Sequence, residues 1–244
     1  MKTFKKGVLP FAVTLLIITF LLLLQPHLSA TIIILLLGFM MMFVGGTRLR
    51  YLAAAAAVAA LGYALLLYLI KTDSAILQKV SFFRYAVERI TAWQDPESVL
   101  LSGGWQIIQS LYAIGSGGLL GLGLGQSRQK YMYLPYEHND YIFSIVCEEL
   151  GFVGGVLILL LFALLIIRGF WLAMHCRDKY SSLVVTGMMI LLSLQVFLNV
   201  AVVTNLVPAT GISLPFFSYG GTALDIQLAE MGIVLSASRD IPDK

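Results

Sequence analysis

Three side chains suited to acid–base chemistry lie together near the middle of the chain, where Glu137, His138 and Asp140 fall within four positions. Carboxylates and imidazoles placed beside a substrate are the usual general acids and bases of enzymes. The sequence becomes apolar directly after Asp140, and a charged group at such a boundary is costly unless it has a role. Asn139 and Asp140 are also good helix N-cap residues, so capping and catalysis both remain open for Asp140.

Further acidic residues lie inside apolar segments. Glu148 and Glu149 follow Asp140 by about two helical turns, and Asp225 and Glu230 lie in the last apolar segment. An acid in such a place is a functional candidate by default, and a structural polar contact between helices is the alternative. The three histidines and two cysteines show no metal-ligand spacing, so the sequence predicts no metal site built from them.

A glycine-rich run from Gly115 to Gly125 precedes the polar stretch. It matches neither the P-loop pattern nor the dinucleotide-binding pattern, since Lys130 follows a glutamine and no strand precedes the run. Glycine also allows backbones to approach closely and to adopt positive φ angles. We therefore predict close backbone packing or a hinge at this run.

The elements that must position these residues are apolar and long. Of the 244 residues, 59% are hydrophobic and 12% are charged, whereas a soluble domain carries about 25% charged residues. The formal charge of +3 comes without a basic run, which argues against a nucleic-acid partner. Six segments approach or reach the length of about 20 residues that crosses a bilayer. They lie at 8–25, 30–46, 51–70, 142–168, 183–207 and 222–238.

This pattern predicts an all-α fold, a polytopic membrane helical bundle of about six transmembrane helices that forms one integral membrane domain over residues 1–244. Orientation follows from lysine and arginine in the short loops. The short loops at 25–29 and 208–221 contain neither residue, whereas both termini and the alternate loops are basic. We therefore predict cytoplasmic termini and an extracytoplasmic loop at 71–141. The basic residues are Lys2, Lys5, Lys6, Arg48, Arg50, Arg168, Arg177, Lys179, Arg239 and Lys244.

The loop at 71–141 shows periodicity of its own. Apolar residues recur at helical spacing from Ile76 to Ile90, which predicts an amphipathic helix on the bundle or at the membrane interface. Asp95 and Pro96 then break the chain, and a second periodic stretch runs from Trp105 to Ile114. We expect the loop to fold back over the helices as a lid or cavity wall.

Four stretches of the chain resemble the SEDS family (shape, elongation, division and sporulation), whose members are the FtsW, RodA and SpoVE proteins. The first comprises the polar stretch and the residues that follow it, and the others resemble an extracellular loop, a late signature and an early Gln-Pro element of the family. They are Tyr133–Phe143 with Glu148–Gly154, then Gly104–Gly118, Pro208–Thr222 and Gln25–Ser29.

The resemblance implies a peptidoglycan glycosyltransferase of the bacterial cytoplasmic membrane. Such an enzyme polymerises lipid II on the outer side and works with a class B penicillin-binding protein transpeptidase. The family's catalytic aspartate falls on Asp140, with the role of general base. The leaving pyrophosphate implies basic side chains or a divalent cation, Mg or Mn, at the site. The substrate-binding candidates are Lys130, Arg84, Arg89, Glu137, His138, Ser218, Tyr219, Gly220, Gly221 and Thr222.

The chain also departs from the family pattern. His27, Tyr136, Asn139 and Tyr141 replace commoner residues, and Asp225 is an unusual acid at its position. The family has ten spans, of which this chain is expected to match the last six. Two alternatives follow: a transporter of lipid-linked precursors with Glu149, Asp225 and Glu230 along its path, or an idle scaffold that binds a penicillin-binding protein.

Overall fold

The computed structural model describes residues 7–25, 28–71, 81–131, 134–135 and 138–239. Within these ranges all regular secondary structure is helical, and each predicted apolar segment forms a helix, which confirms the all-α class. The helices α6 and α7 are each long and apolar enough to cross a bilayer, and the apolar stretches of α1, α2 and α3 are shorter. The elements are α1 Leu9–Leu24, α2 Leu28–Val44, α3 Leu49–Lys71, α4 Ser81–Gln94, a 3-10 helix Glu97–Ser102, α5 Gly104–Gly117, α6 Ile142–His175, α7 Lys179–Val203 and α8 Gly221–Ser238.

Residues Met1–Ile90 form one compact unit, in which α1 packs on α2 and α2 packs on α3. Gly38 of α2 lets α1 approach, because a Cβ atom there would lie 2.8 Å from the Leu15 side chain. The outer face of α1 leaves large apolar side chains exposed, as a lipid-facing helix does. These are Leu16, Ile17, Phe20, Leu21 and Leu24.

The two helices predicted within the 71–141 loop are present as α4 and α5. Ile90 is buried, as the amphipathic pattern of α4 requires, whereas Ile76 and Val80 of that pattern lie outside the described residues. The chain leaves α4 at Asp95 and Pro96, where the break was predicted. Gly104 then begins α5 so close to Pro96 that a Cβ atom would lie 2.0 Å from the Pro96 carbonyl oxygen.

Residues Thr91–Lys244 form a second compact unit, in which α6 packs against both α5 and α7. A buried polar contact joins the three helices. Ser110 Oγ of α5 donates to the Val203 carbonyl at 2.8 Å and lies 2.6 Å from Ser144 Oγ of α6. Since the one Ser110 proton is used on Val203, Ser144 is the donor between the two hydroxyls. This contact satisfies two serine side chains that are both fully buried.

Helix α6 is broken at Gly151, whose φ of 69° and ψ of −172° are not helical. The span predicted at 142–168 is therefore a helix with one break inside it. The glycine-rich run supplies the hydrogen bonds that the break would otherwise lose, so the backbone groups beside the break stay paired. Phe152 and Val153 donate to the carbonyls of Gly118 and Leu119, and Leu122 and Gly123 donate to those of Glu148 and Glu149.

Close backbone contact explains the glycines of this run. A Cβ atom on Gly121 would lie 2.1 Å from the Glu149 carbonyl oxygen, and one on Gly151 would lie 2.3 Å from the Gly121 nitrogen. A Cβ atom on Gly117 would lie 2.0 Å from the Cys147 carbonyl oxygen. The predicted close backbone packing is confirmed.

Gly151→Ala is expected to lower the thermal unfolding midpoint of the purified protein in detergent. The backbone conformation of Gly151 costs other residues about 1–3 kcal/mol, and overpacking costs about 1–3 kcal/mol more. Gly115→Ala is the matched control, because a Cβ atom on this α5 residue meets open space and alanine favours the helix. Equal midpoints for the two variants would contradict the close approach at Gly151.

Candidate active site

The polar stretch forms a turn at residues 138–140, immediately before α6. The N-cap of α6 is Tyr141, which is buried and makes no capping hydrogen bond from its side chain. The interpretation of Asp140 as the helix cap is therefore wrong. Tyr141 is buried in the core and occupies the cap position one residue beyond Asp140, which stays half-buried in the turn.

Three successive backbone carbonyls hold this turn in place, and we call their donors the carbonyl clamp. The clamp consists of Tyr219 N, Ser218 Oγ and Asn199 Nδ2. They donate to the carbonyl oxygens of His138, Asn139 and Asp140 respectively, each at 2.7 Å. The main chain of Asp140 is thereby fixed against α7 and against the loop that precedes α8.

Asn199 is the member of the clamp that sequence reasoning missed. Its side chain is fully buried in α7, and its amide also donates to the Ile212 carbonyl at 2.7 Å. One amide group thus joins the turn at Asp140 to the loop between α7 and α8. The available signal was an asparagine inside an apolar segment, since such residues commonly bond across membrane helices.

Glu148 and Glu149 bind the loop that follows the glycine-rich run, and we call the two residues and their partners at 125–130 the glutamate latch. Glu148 is 1% exposed. It accepts hydrogen bonds from Ser127 Oγ, from Arg128 N at 3.1 Å and from Gln129 N at 3.3 Å. These contacts fit the structural interpretation of Glu148, because they serve to hold one loop on α6.

Glu149 completes the latch. Its carboxylate accepts from Gly125 N at 2.9 Å and from Ser127 N at 3.2 Å, and it pairs with Lys130 Nζ at 2.9 Å. Lys130 Nζ also donates to the Gly125 carbonyl at 2.6 Å. The conformation of Lys130, a predicted substrate-binding residue, is therefore set by the latch.

A cleft of about 310 Å³ lies beside the turn. The described residues that line it are Lys130, Tyr131, His138, Ile142 and Ile145. Two predicted substrate-binding residues, Lys130 and His138, are thus brought to the same surface. Lys130 and His138 offer polar groups to a ligand, and the two isoleucines form an apolar wall. Ligand sites usually combine these two features.

Two of the late-loop candidates, Ser218 and Tyr219, contact the turn. The Tyr219 ring meets the His138 ring edge-on, with centroids 6.4 Å apart, and Tyr219 is otherwise 83% exposed. Ser218 Oγ also accepts from Leu214 N at 2.7 Å. The other three candidates lie at the start of α8, where Gly220 is the N-cap and Gly221 and Thr222 are exposed residues of the first turn.

Three substrate-binding candidates remain. Arg89 lies on α4 within the first compact unit, and the Arg84 side chain lies outside the described residues. Glu137 also lies outside them. Among the residues that the structure describes, no group of three or more His, Cys, Asp or Glu side chains could hold a metal ion.

The motifs at this site agree with a comparison against protein families. A family model described as cell cycle protein, which covers FtsW, RodA and SpoVE, matches residues 1–241. The chain belongs to this family. Stage V sporulation protein E of Bacillus subtilis (strain 168) is 52% identical over 155 residues, which are 64% of this chain and 42% of the relative.

A second relative in the FtsW/RodA/SpoVE family matches nearly the whole chain. The probable peptidoglycan glycosyltransferase FtsW of Trichlorobacter lovleyi is 38% identical over 232 residues, which are 95% of this chain and 58% of the relative. The chain therefore spans between 42% and 58% of the length of these two relatives.

Solved structures from the family show the same architecture. A chain of a peptidoglycan synthase complex that coordinates polymerization and crosslinking matches with a TM-score of 0.72 at 33% identity, over 96% of this chain and 62% of that one. The rod shape determining protein RodA of Thermus thermophilus matches with a TM-score of 0.59 at 30% identity, over 98% of this chain and 58% of that one. The predicted all-α membrane fold is confirmed.

Proposed function

We propose that this chain acts as a peptidoglycan glycosyltransferase that polymerises lipid II. The observation that carries the proposal is the turn at Asp140, which the carbonyl clamp fixes beside a cleft lined by Lys130, His138 and an apolar wall. Such a cleft suits a substrate with a sugar and pyrophosphate head and a polyprenyl tail. The FtsW relative is named a probable peptidoglycan glycosyltransferase, which supports the same reaction class.

Asp140 is the general base of the proposed reaction. Its carboxylate takes the proton of a sugar hydroxyl on one lipid II while that oxygen attacks the anomeric carbon of the other chain. The new C–O bond forms as the bond to undecaprenyl pyrophosphate breaks, and the leaving group takes the bonding electrons. The carbonyl clamp acts on the main chain of Asp140, so the carboxylate is presented from a fixed position.

Lys130 supplies positive charge for the leaving pyrophosphate. The cleft brings Lys130 and His138 together, so the negative charge that develops on the pyrophosphate meets a cation at the rim. The family resemblance also allows a divalent cation. The described residues offer no cluster of acids and histidines for such an ion, and no step of the proposed reaction passes through a metal.

The proposal includes a place for the protein in the cell. The chain forms one integral domain of the bacterial cytoplasmic membrane, with both termini in the cytoplasm and residues 71–141 outside. The basic loops support this orientation. A class B penicillin-binding protein is the proposed partner, and the likeness to a complex that combines polymerization and crosslinking supports it.

Purified chain reconstituted in vesicles with labelled lipid II tests the proposal against its alternatives. Glycan polymer on a gel is the expected result. Movement of lipid II across the bilayer without polymer would instead identify a transporter. Association with a penicillin-binding protein, with neither polymer nor movement, would identify a scaffold. The transporter hypothesis placed Glu149 along the transport path. The hydrogen bonds of Glu149 to backbone donors at 125–127 do not support that role.

A further inference from the structure

The glutamate latch places two carboxylates next to a break in a membrane helix. Glu148 accepts four hydrogen bonds from the preceding segment, including one from Ser116 Oγ at 3.4 Å, and Glu149 accepts three. Buried carboxylates are costly unless donors surround them, and most of these donors come from one short loop. The latch therefore specifies the path of that loop along α6.

We infer that Glu148 and Glu149 are positioning residues that hold Lys130 at the cleft, where Lys130 receives the pyrophosphate end of the lipid-linked substrate. The inference rests on the proposed function and assigns the substrate's charged end to one side chain. A lysine on a free loop would lose much conformational freedom on binding such a ligand. The latch removes that freedom before the ligand arrives.

The hydrogen bonds of Lys130 leave room for this ligand. An ammonium group has three donors. Within the described part of the chain, one bonds to Glu149 at 2.9 Å and one to the Gly125 carbonyl at 2.6 Å. The ammonium also lies 5.5 Å from the centre of the Tyr131 ring, and the Lys130 side chain is 27% exposed. In our inference the third donor takes a phosphate oxygen at this exposed side. Glu149 thus orients the ammonium without enclosing it.

The main test compares Glu149→Gln and Lys130→Met, which change charge and leave size almost unchanged. We expect each variant to raise KM for lipid II by about tenfold while kcat changes by less than about threefold, because each weakens binding of the non-reacting end. The KM of the double variant is expected not to exceed the higher of the two single-variant values, because both changes remove the same interaction with lipid II. Lys130→Arg is expected to retain most of the affinity.

Two controls separate positioning from general damage. Glu97→Gln changes an exposed glutamate of the 3-10 helix and should leave both constants unchanged. Acylation of Lys130 by an amine-reactive reagent, measured by peptide mass spectrometry, should rise in Glu149→Gln. This second measurement requires no enzymatic activity.

The outcomes are distinguishable. Three results would each overturn the positioning role. The first is a rise in KM in the double variant that equals the product of the two single rises. The others are a fall in kcat with KM unchanged in Glu149→Gln, and unchanged acylation of Lys130 in that variant. A wild-type chain that forms no polymer, together with a rise in acylation in Glu149→Gln, would overturn the proposed function and leave the latch standing.

Discussion

Asp140→Asn is expected to lower the initial rate of lipid II polymerisation by a factor of about 10²–10⁴, the range that a general base contributes. Asparagine has almost the same shape, and its main chain can keep the bond from Asn199, which is made to the backbone carbonyl. The fold should therefore survive while proton transfer is lost. The rate is measured as consumption of labelled lipid II by purified protein.

The control for this change is Asp178→Asn, at a carboxylate that caps α7 through Tyr180 N and Ser181 N. Asparagine caps a helix about as well as aspartate, so this change removes a carboxylate at the start of another helix, should keep the cap and should leave the rate unchanged. Equal rates for wild type and Asp140→Asn would contradict the role of general base.

Asn199→Leu is expected to lower the polymerisation rate by about 10²-fold, although Asn199 acts on the main chain of Asp140 and not on the substrate. Leucine has the same branching and number of side-chain heavy atoms but cannot donate, so the carbonyls of Asp140 and Ile212 lose a buried partner. Each unsatisfied group costs about 1–3 kcal/mol, which the turn can relieve by moving Asp140. The expected change is in kcat, with KM for lipid II little altered.

Ser193→Ala is the control for Asn199→Leu. Ser193 is another polar residue of α7, and its hydroxyl donates to the Met189 carbonyl of its own helix. Its loss should leave kcat unchanged. If Asn199→Leu changed KM alone, or changed kcat no more than Ser193→Ala does, the clamp would have no part in placing Asp140.

Much of the fold could be predicted because it depends on local composition. Apolar length places the helices, and Asp95 and Pro96 mark the break after α4. The role of Asp140, which the motif indicates, stays a prediction. The glycine-rich run was predicted to pack closely, since Gly117 and Gly121 share a run that no phosphate-binding pattern explains. Each of these features depends on residues that are close together in the sequence.

The positioning contacts could not be predicted in the same way, because each joins residues far apart in the chain. Asn199 lies 59 positions from Asp140 and Glu149 lies 19 from Lys130. The break at Gly151 depends on an approach by Gly121 that only the packed structure shows. The interpretation of Asp140 as the helix cap was wrong, because Tyr141 occupies the N-cap position of α6.

The most direct test of Asp140 as general base measures binding and turnover of lipid II in the same samples of wild type and Asp140→Asn. A general base acts on the transition state, so its removal should leave ground-state affinity nearly unchanged. We predict that Asp140→Asn binds lipid II within about twofold of wild type and forms almost no glycan polymer. Polymer formed at a rate close to that of wild type by bound Asp140→Asn protein would contradict this role.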